Sequence, residues 1–371
     1  MTAALWTGTV AAATPPDRER AVDGLRAIAM IGVVAGHWLV TGLTTGPSGS
    51  LHQASPLTAM PGLTPLTWIF QTLGLFFFVA GYAAARGLSR IRQRGGSTRS
   101  WLAGRACRLL PPVAVFLSVW LLILTALRHT DPRTLHTVGK IALSPLWFVL
   151  VLVVLLPLTP LVLRAVDRFG PAAALVPLTA LVTVDFLRYA PSPGMPGWPA
   201  YLNGVSAWLV PYTLGVTVAC GRLAGPRWGR RLLLAGVTGG TLLIAAGYPA
   251  SLVGVPGDGR SNLNPPSLLT AALSAVQIGV ALLLWARLNQ WLRHPGWWAV
   301  VAGLNLTAMT IFLWHQSALL GVTVLAGPAG PPDSAGWILH RLLWLPVVAV
   351  ALSAVVASVE FSSRRVRRRN Q

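Results

Sequence analysis

Apolar residues along this chain come in long continuous blocks, which short polar or Gly/Pro-rich segments separate. A helix needs about 20 predominantly apolar residues to cross a bilayer. Membrane barrels show short segments of alternating polarity instead. The pattern therefore predicts an all-α integral membrane protein with about ten transmembrane helices, over residues 24–44, 66–88, 101–127, 145–164, 171–189, 199–220, 232–253, 266–288, 299–326 and 337–360.

The composition supports a membrane protein and excludes several other classes. Hydrophobic residues make up 54% of the chain and charged residues only 10%, whereas soluble domains carry about 25% charged residues. A soluble enzyme or a nucleic-acid-binding module needs more polar surface, and intrinsic disorder requires low hydrophobicity. We therefore expect the chain to lie in a lipid bilayer and to bind no nucleic acid.

The large positive charge, +20 in total, sets the predicted orientation. If the amino terminus is cytoplasmic, 23 of the 29 basic residues fall in cytoplasmic segments and 6 in outer segments. Short cytoplasmic loops are rich in Lys and Arg, and an odd number of helices would destroy this asymmetry. We predict cytoplasmic termini, a mobile cytoplasmic leader over 1–19, a ten-helix membrane domain over 20–360 and a basic cytoplasmic tail over 361–371.

Metal and cofactor motifs do not stand out in this sequence. It contains no metal-ligand spacing, Gly-rich phosphate loop, CxxC pair or nucleophile elbow. We therefore expect no metal cofactor. Cys107 and Cys220 fall near the cytoplasmic ends of predicted helices, where disulfides are rare, and are expected to be inert packing residues.

The first predicted helix carries ionisable residues on one face. Arg20, Asp23 and Arg26 stand three apart, and His37 follows Arg26 by eleven residues. Eleven residues bring His37 about 20° past three full turns and about 16 Å deeper than Arg26. Ionisable groups at membrane depth tend to mark functional sites. The stripe predicts either such a site or, more simply, topology-setting arginines with a hydrogen-bonded core histidine.

Two later helices carry further candidates. Arg105 and Arg108 lie one turn apart in the third helix, where they either bind phosphate oxygens as a fork or extend to the lipid headgroups. Asn305 and His315 lie in the ninth helix, with His315 at a depth comparable to that of His37. His315 either acts directly or belongs to a Trp314-His315-Gln316 cluster that hydrogen-bonds neighbouring helices. His340 and Arg341, at the outer start of the last helix, are expected to be interface anchors.

The residues of the first helix resemble a known family. An arginine and a histidine separated by ten residues, as in Arg26 and His37, are similar to the hallmark of the membrane acyltransferase-3 family. The resemblance runs from residue 20 to about 318, although many members have Ser where this chain has Ala80. Other segments that resemble the family are Phe76–Tyr82, Arg105 and Arg108 with Pro111, Pro145–Phe148 and Phe312–His315.

The resemblance implies an activity and a bacterial plasma-membrane location. Members of the family move acyl groups, usually acetyl from acetyl-CoA, to hydroxyls of surface glycans, glycolipids or secreted natural products such as macrolides. Acetyl-CoA or another acyl-CoA is the implied co-substrate, and His37 the implied general base. The expected site consists of His37, Arg26 and Asp23 for catalysis, of Arg20, Arg105, Arg108 and Trp147 for CoA, and of His315, Asn305 and Gln71 for substrate.

Two other classes of protein remain open from the sequence. Buried ionisable residues and helix-breaking prolines, such as Pro111-Pro112 and Asn264-Pro265-Pro266, also fit a secondary transporter or exporter of a small anionic or amphiphilic solute. The two halves of the chain show no clear similarity, which many transporters do show. A non-catalytic assembly or lipid-binding protein would explain the basic tail but not Asp23, His37 and His315.

Overall fold

The protein is nearly all-α. The computed structural model describes residues 3–189, 198–257, 259–327 and 330–369. Two short strands, β1 (Gly42–Thr45) and β2 (Leu51–Ala54), pair in antiparallel fashion. The helices are α1 (Ala3–Ala12), α2 (Arg20–Val40), α3 (Pro56–Ala59), α4 (Thr64–Phe70), α5 (Leu73–Gln93), α6 (Thr98–Ala126), α7 (Pro132–Leu143), α8 (Leu146–Phe169), α9 (Leu175–Tyr189), α10 (Asn203–Ala219), α11 (Pro226–Ala245), α12 (Leu268–Trp291), α13 (Pro295–Ala326) and α14 (Ala335–Arg369).

Helices occupy all ten predicted blocks, and most blocks are apolar enough to cross a membrane. Seven segments in the described part of the chain meet this requirement by length and composition: Arg20–Val40, Pro61–Gln93, Thr98–His129, Leu146–Arg188, Leu268–Trp291, Pro295–Ala326 and Ala335–Phe361. The fourth contains both α8 and α9. Helix α10 has only 17 residues, and α11 starts with three arginines in its first six residues. The count of ten and the cytoplasmic termini stay predictions.

The β-hairpin corrects the expectation of a wholly α-helical chain. β1 and β2 flank a turn in which Gly49 has a φ of 78°. A hairpin this short is not stable alone, but α7 holds it. The Leu51 N–H donates to Thr134 Oγ1 at 2.9 Å, and Thr137 Oγ1 donates to the Leu51 carbonyl at 3.0 Å. Contacts from a distant helix, which local periodicity does not show, stabilise these strands.

The second predicted helix, 66–88, is broken in the middle. Helix α4 ends at Phe70 and α5 begins at Leu73, with Gln71 and Thr72 between them. Thr72 Oγ1 donates to the Ala29 carbonyl of α2 at 2.7 Å, and Gln277 Nε2 donates to the Gln71 carbonyl at 2.7 Å. Irregular backbone at membrane depth requires protein partners of this kind.

The two ends of the helix bundle differ in character. Helix α2 begins at one end, which we call the arginine end. There, Arg20 Nη1 donates to the Leu292 carbonyl at 2.8 Å, and Arg90 forms an ion pair with Asp17. Residues 1–19, the predicted mobile leader, include α1 and Thr14, which accepts a 2.7 Å hydrogen bond from Trp298 Nε1 of α13. The opposite end, the hairpin end, holds β1, β2, α7 and the start of α14.

Glycines allow helices α5 and α10 to cross closely. A Cβ atom on Gly81 would meet the backbone of Tyr212, and a Cβ on Gly215 would meet the backbone of Phe78. In membranes, small residues at such crossings let two backbones approach. This crossing holds α5, which follows the break and carries part of the candidate site.

Gly81→Ala is expected to destabilise the protein because the new methyl group collides with backbone, which moves only if the helices separate. Overpacking of this kind costs about 1–3 kcal/mol, so the thermal unfolding midpoint in detergent should fall by several degrees. Gly239→Ala in α11 is the matched control, since a Cβ there has nothing within 4 Å. The control should melt at or above the wild-type temperature; equal melting of the two variants would contradict the crossing.

Candidate active site

A buried ionic cluster lies at the arginine end, centred on Asp23. Asp23 is only 3% exposed. Arg18 donates to both of its carboxylate oxygens, from Nε at 2.7 Å and from Nη2 at 2.9 Å, and this hydrogen bonding raises the pKa of Arg18. Arg26 Nη1 lies 3.6 Å from Asp23 Oδ1. The bidentate pair is geometrically specific and fixes Arg18, whereas Arg26 lies within ion-pair distance of the same carboxylate.

Arg20 occupies a different place from the one expected. Besides its hydrogen bond to Leu292, its guanidinium lies over the Trp298 ring, 4.8 Å from the centroid. Arg18, which precedes α2, takes the place beside Asp23 that the three-residue spacing assigned to Arg20. Helical periodicity does not apply to residues before the first turn, so the spacing could not identify Arg18.

Asn305 joins this ionic cluster from α13. Its Nδ2 donates to the Asp23 carbonyl at 2.9 Å, and its Oδ1 accepts from Arg26 Nη1 at 3.3 Å. The sequence predicted Asn305 as a substrate-binding residue. The structure places it at the arginine end beside Arg26, where it ties α13 to α2.

The same two helices bring His37 and His315 together. Their ring centroids are 5.1 Å apart, as the prediction that they lie in one layer implies. His315 is fully buried, and its Nδ1 lies 2.7 Å from the Phe312 carbonyl. A carbonyl only accepts, so Nδ1 carries the proton. His315 Nε2 is then an acceptor, and it has no hydrogen-bond partner among the described residues.

Gln316 is the partner of His37. Its Nε2 lies 3.2 Å from His37 Nδ1, and its buried Oε1 has no hydrogen-bond partner in the described part of the chain. If the amide nitrogen of Gln316 donates to Nδ1, the proton of a neutral His37 ring lies on Nε2. If the amide is turned over, its oxygen accepts from Nδ1–H, and Nε2 is then the basic nitrogen. In this structure the amide Nε2 faces Nδ1, so a neutral His37 carries its proton on Nε2, and Nε2 becomes basic only when the amide turns over. Gln316 thus selects which nitrogen of His37 is basic.

An aromatic cluster lines one side of the histidine pair. Phe312 lies 5.8 Å from the His315 ring and 4.7 Å from Phe148, measured between centroids. Trp147 lies 6.0 Å from Trp208. The aromatic cluster consists of Phe76, Phe77, Trp147, Phe148, Trp208 and Phe312. Trp147, predicted to contact CoA, therefore lies on the aromatic side of the site, where the surroundings suit an apolar group.

Arg105 and Arg108, the predicted phosphate fork, donate to different backbone carbonyls in this structure. Arg105 turns towards α5, where its Nη2 donates to the Ala83 carbonyl at 3.1 Å and a Cβ on Gly87 would lie 2.8 Å from the same nitrogen. Its buried Nε has no hydrogen-bond partner among the described residues. Arg105 is near enough to Arg26 for electrostatic repulsion. Arg108 is exposed and donates to the Gly104 carbonyl of its own helix at 2.9 Å.

Gln71 is occupied by the break between α4 and α5. Its Nε2 donates to the Leu252 carbonyl at 3.3 Å, and its Oε1 accepts from the Leu73 N–H at 3.3 Å. Both ends of the amide thus support irregular backbone. Neither of these bonds brings Gln71, predicted as a substrate-binding residue, into contact with the histidine pair.

Comparison with known proteins gives one match. A family model described as an acyltransferase domain matches residues 19–361. No curated protein and no solved structure matches the chain. The matched range covers most of the chain and includes Asp23, Arg26, the histidine pair and Arg105.

Proposed function

The chain belongs to the membrane acyltransferase-3 family, and we propose that it moves an acyl group, most often acetyl, from acyl-CoA to a hydroxyl of an acceptor at a bacterial plasma membrane. The observation that carries this proposal is the pairing of α2 with α13. These helices hold an ionic cluster at one end and the His37–His315 pair about 16 Å further along. A binding site for a polyanion is thereby linked to a proton acceptor.

The arginine end supplies groups for the CoA phosphates. Guanidinium groups bind phosphate oxygens in bidentate geometry. Arg26 is fixed by Asp23 and Asn305, while the unpartnered Nε of Arg105 remains available for an anion. Arg108 reaches the phosphates from the exposed face of α6. The pantetheine arm then runs along α2 and brings the thioester towards His37, with the acyl group beside the aromatic cluster.

The proposed chemistry is a direct acyl transfer with His37 as general base. With the Gln316 amide turned over so that its Oε1 accepts from Nδ1–H, Nε2 of His37 takes the proton from the acceptor hydroxyl while the hydroxyl oxygen bonds to the thioester carbonyl carbon. The carbon–sulfur bond breaks, and CoA leaves with the proton as the free thiol. General-base catalysis of this kind contributes about 10²- to 10⁴-fold to a rate.

Gln316→Leu is expected to lower the rate of transfer by about tenfold to a hundredfold, because the variant no longer selects the basic nitrogen of His37. Since Gln316 does not bind the donor in this proposal, kcat should fall with the donor KM unchanged. Gln290→Leu, at an exposed position of α12, is the control. A rise in KM with an unchanged kcat would contradict a positioning role for Gln316.

The acceptor is proposed to be a surface glycan, a glycolipid or a secreted natural product such as a macrolide. Mass spectrometry of envelope glycans and small metabolites tests this in cells with the wild type, without the protein, and with His37→Ala. We expect one molecule to lose an acyl increment in both altered strains. Identical acylation in all three strains would contradict the proposal.

A transporter is the alternative that one structural feature favours. Broken helices such as α4–α5 are typical of secondary transporters. Here, however, the polar groups at the break are paired with α2, α12 and the Leu252 segment. A transporter would leave the thioester intact, so release of CoA thiol separates the two functions.

A further inference from the structure

Arg341 is a buried arginine at the hairpin end, far along the bundle from the ionic cluster. It lies near the start of α14 and is 9% exposed. Its Nη2 donates to the Thr41 carbonyl at 2.9 Å, and its guanidinium lies over the ring of Trp337, 4.8 Å from the centroid. Arg341 is therefore more buried than expected for the interface anchor that the sequence predicted at this position.

The charge of Arg341 has no full countercharge among the described residues. Ion pairs in that part of the chain involve Arg18, Arg26, Arg90 and Arg188. The carboxyl ends of α2 and α13 lie nearby, and their partial negative charges offset some of the arginine charge. A buried charge without a full partner is costly, more so at membrane depth, so the position favours binding of an anion.

A pocket is available for such an anion beside Arg341. It lies between α13, α14 and β1, and Arg341 lines it together with Thr323, Trp337, His340 and Trp344. Hydrogen-bond donors and aromatic rings thus share one concave surface, whose volume of about 30 Å³ suits the oxygens of an anionic group rather than a whole molecule.

The surroundings of the pocket indicate what kind of molecule carries the anion. Large apolar side chains one helical turn from pocket residues are exposed: Leu325, one turn after Val322, at 90%, and Val347, one turn after Trp344, at 45%. On a membrane-spanning helix, such side chains face lipid tails. A ligand therefore reaches the pocket from the bilayer, with a charged headgroup and an apolar body.

The pocket is connected to the histidine pair through α2. Thr41, whose carbonyl accepts from Arg341, donates its own N–H to the His37 carbonyl at 3.0 Å. Four residues of helix correspond to a rise of about 6 Å. An anion at Arg341 therefore lies about one helical turn beyond His37, on the side opposite the arginine end.

We propose that Arg341, with Trp337 and His340, forms a binding site for the phosphate or carboxylate of an amphiphilic molecule. The contacts of Arg341 support this binding site independently of the proposed acyl transfer. Its use as the anchor of an anionic acceptor, which would hold a hydroxyl near His37, rests on the proposed acyl transfer.

Native mass spectrometry of the purified protein in detergent tests the site, with phosphatidylglycerol and phosphatidylcholine as the added lipids. The wild type is expected to retain phosphatidylglycerol in preference, and Arg341→Gln to bind it about tenfold more weakly because a charge-assisted bond is lost. Arg133→Gln is the matched control, since Arg133 is exposed on α7 at the same end. If Arg341→Gln does not fold, Arg341→Lys replaces it and should bind several-fold more weakly while still preferring phosphatidylglycerol.

Thermal-shift titration with inorganic phosphate separates the two sources of the anion. Stabilisation by phosphate equal to that by phosphatidylglycerol identifies a free-anion site, and stabilisation by the lipid alone identifies an amphiphile headgroup as proposed. The proposal is overturned by phosphate acting as well as the lipid, by Arg341→Gln binding phosphatidylglycerol like the wild type, or by an equal loss in Arg133→Gln. Because no acyl donor is present, none of these results bears on acyl transfer.

Discussion

His37→Ala is expected to reduce acyl transfer by about 10²- to 10⁴-fold, the usual contribution of a general base. The substitution removes the ring that faces His315 at 5.1 Å and accepts the contact from Gln316. It leaves the ionic cluster at the arginine end in place. Donor binding should therefore persist while the chemical step fails, and the measurement is the initial rate of acyl transfer by purified protein.

His136→Ala is the control for this loss, because His136 is exposed on α7. Both variants should elute as single folded species on size-exclusion chromatography and melt near the wild-type temperature. Wild-type turnover by His37→Ala would exclude His37 as the base, and loss of turnover in His136→Ala would show that the assay reports folding.

Arg105→Gln is expected to weaken acetyl-CoA binding by about tenfold to a hundredfold, the range for losing a hydrogen bond to a charged group. Arg105 is the buried arginine whose Nε has no hydrogen-bond partner in the described chain. Arg108→Gln should have a smaller effect, because Arg108 is exposed and bonded to its own helix. Calorimetric titration of the purified protein with acetyl-CoA measures both dissociation constants.

Arg94→Gln serves as the control, since it removes an exposed positive charge near the same end. If that variant weakens binding as much as Arg105→Gln, general electrostatic attraction holds the donor. If Arg105→Gln binds acetyl-CoA like the wild type, the phosphate assignment fails, while the role of His37 is unaffected.

Helical periodicity was sufficient to predict the spatial relation of the two candidate residues that lie along α2. Arg26 and His37 are separated by a number of residues that returns to the same face, so one helix determines their relation. The contact between His37 and His315 was predicted only as a shared layer. Its distance depends on how α2 and α13 pack, and a single sequence does not contain that information.

Features that depend on partners from elsewhere in the chain were not predictable. Arg18 lies beside Asp23 in place of Arg20, although it precedes the first turn of α2. Gln316 was expected only to hydrogen-bond a neighbouring helix, and that its partner is His37 depends on how α2 and α13 pack. The break at Gln71 and Thr72 occurs within an apolar run that reads as continuous helix, and bonds from α2, α12 and the Leu252 segment stabilise it.

The number of basic residues did not identify Arg341 as a candidate binding residue. Most basic residues of the chain can be accounted for by topology, and Arg341 was grouped with residues expected at the interface. Its burial against Trp337 and its bond to Thr41 are tertiary contacts. Those contacts, not the count of charges, distinguish it from an exposed arginine such as Arg133.

The central claim is that this membrane protein breaks the thioester of acyl-CoA and keeps the acyl group on an oxygen. The most direct test incubates membranes containing the protein with acetyl-CoA labelled in the acetyl group, and follows both free CoA thiol and membrane-bound label. We predict thiol release that depends on His37, with the label recovered in an ester that hydroxylamine cleaves. Labelled acetyl-CoA that remains intact, or thiol release equal to that of membranes lacking the protein, would contradict the account.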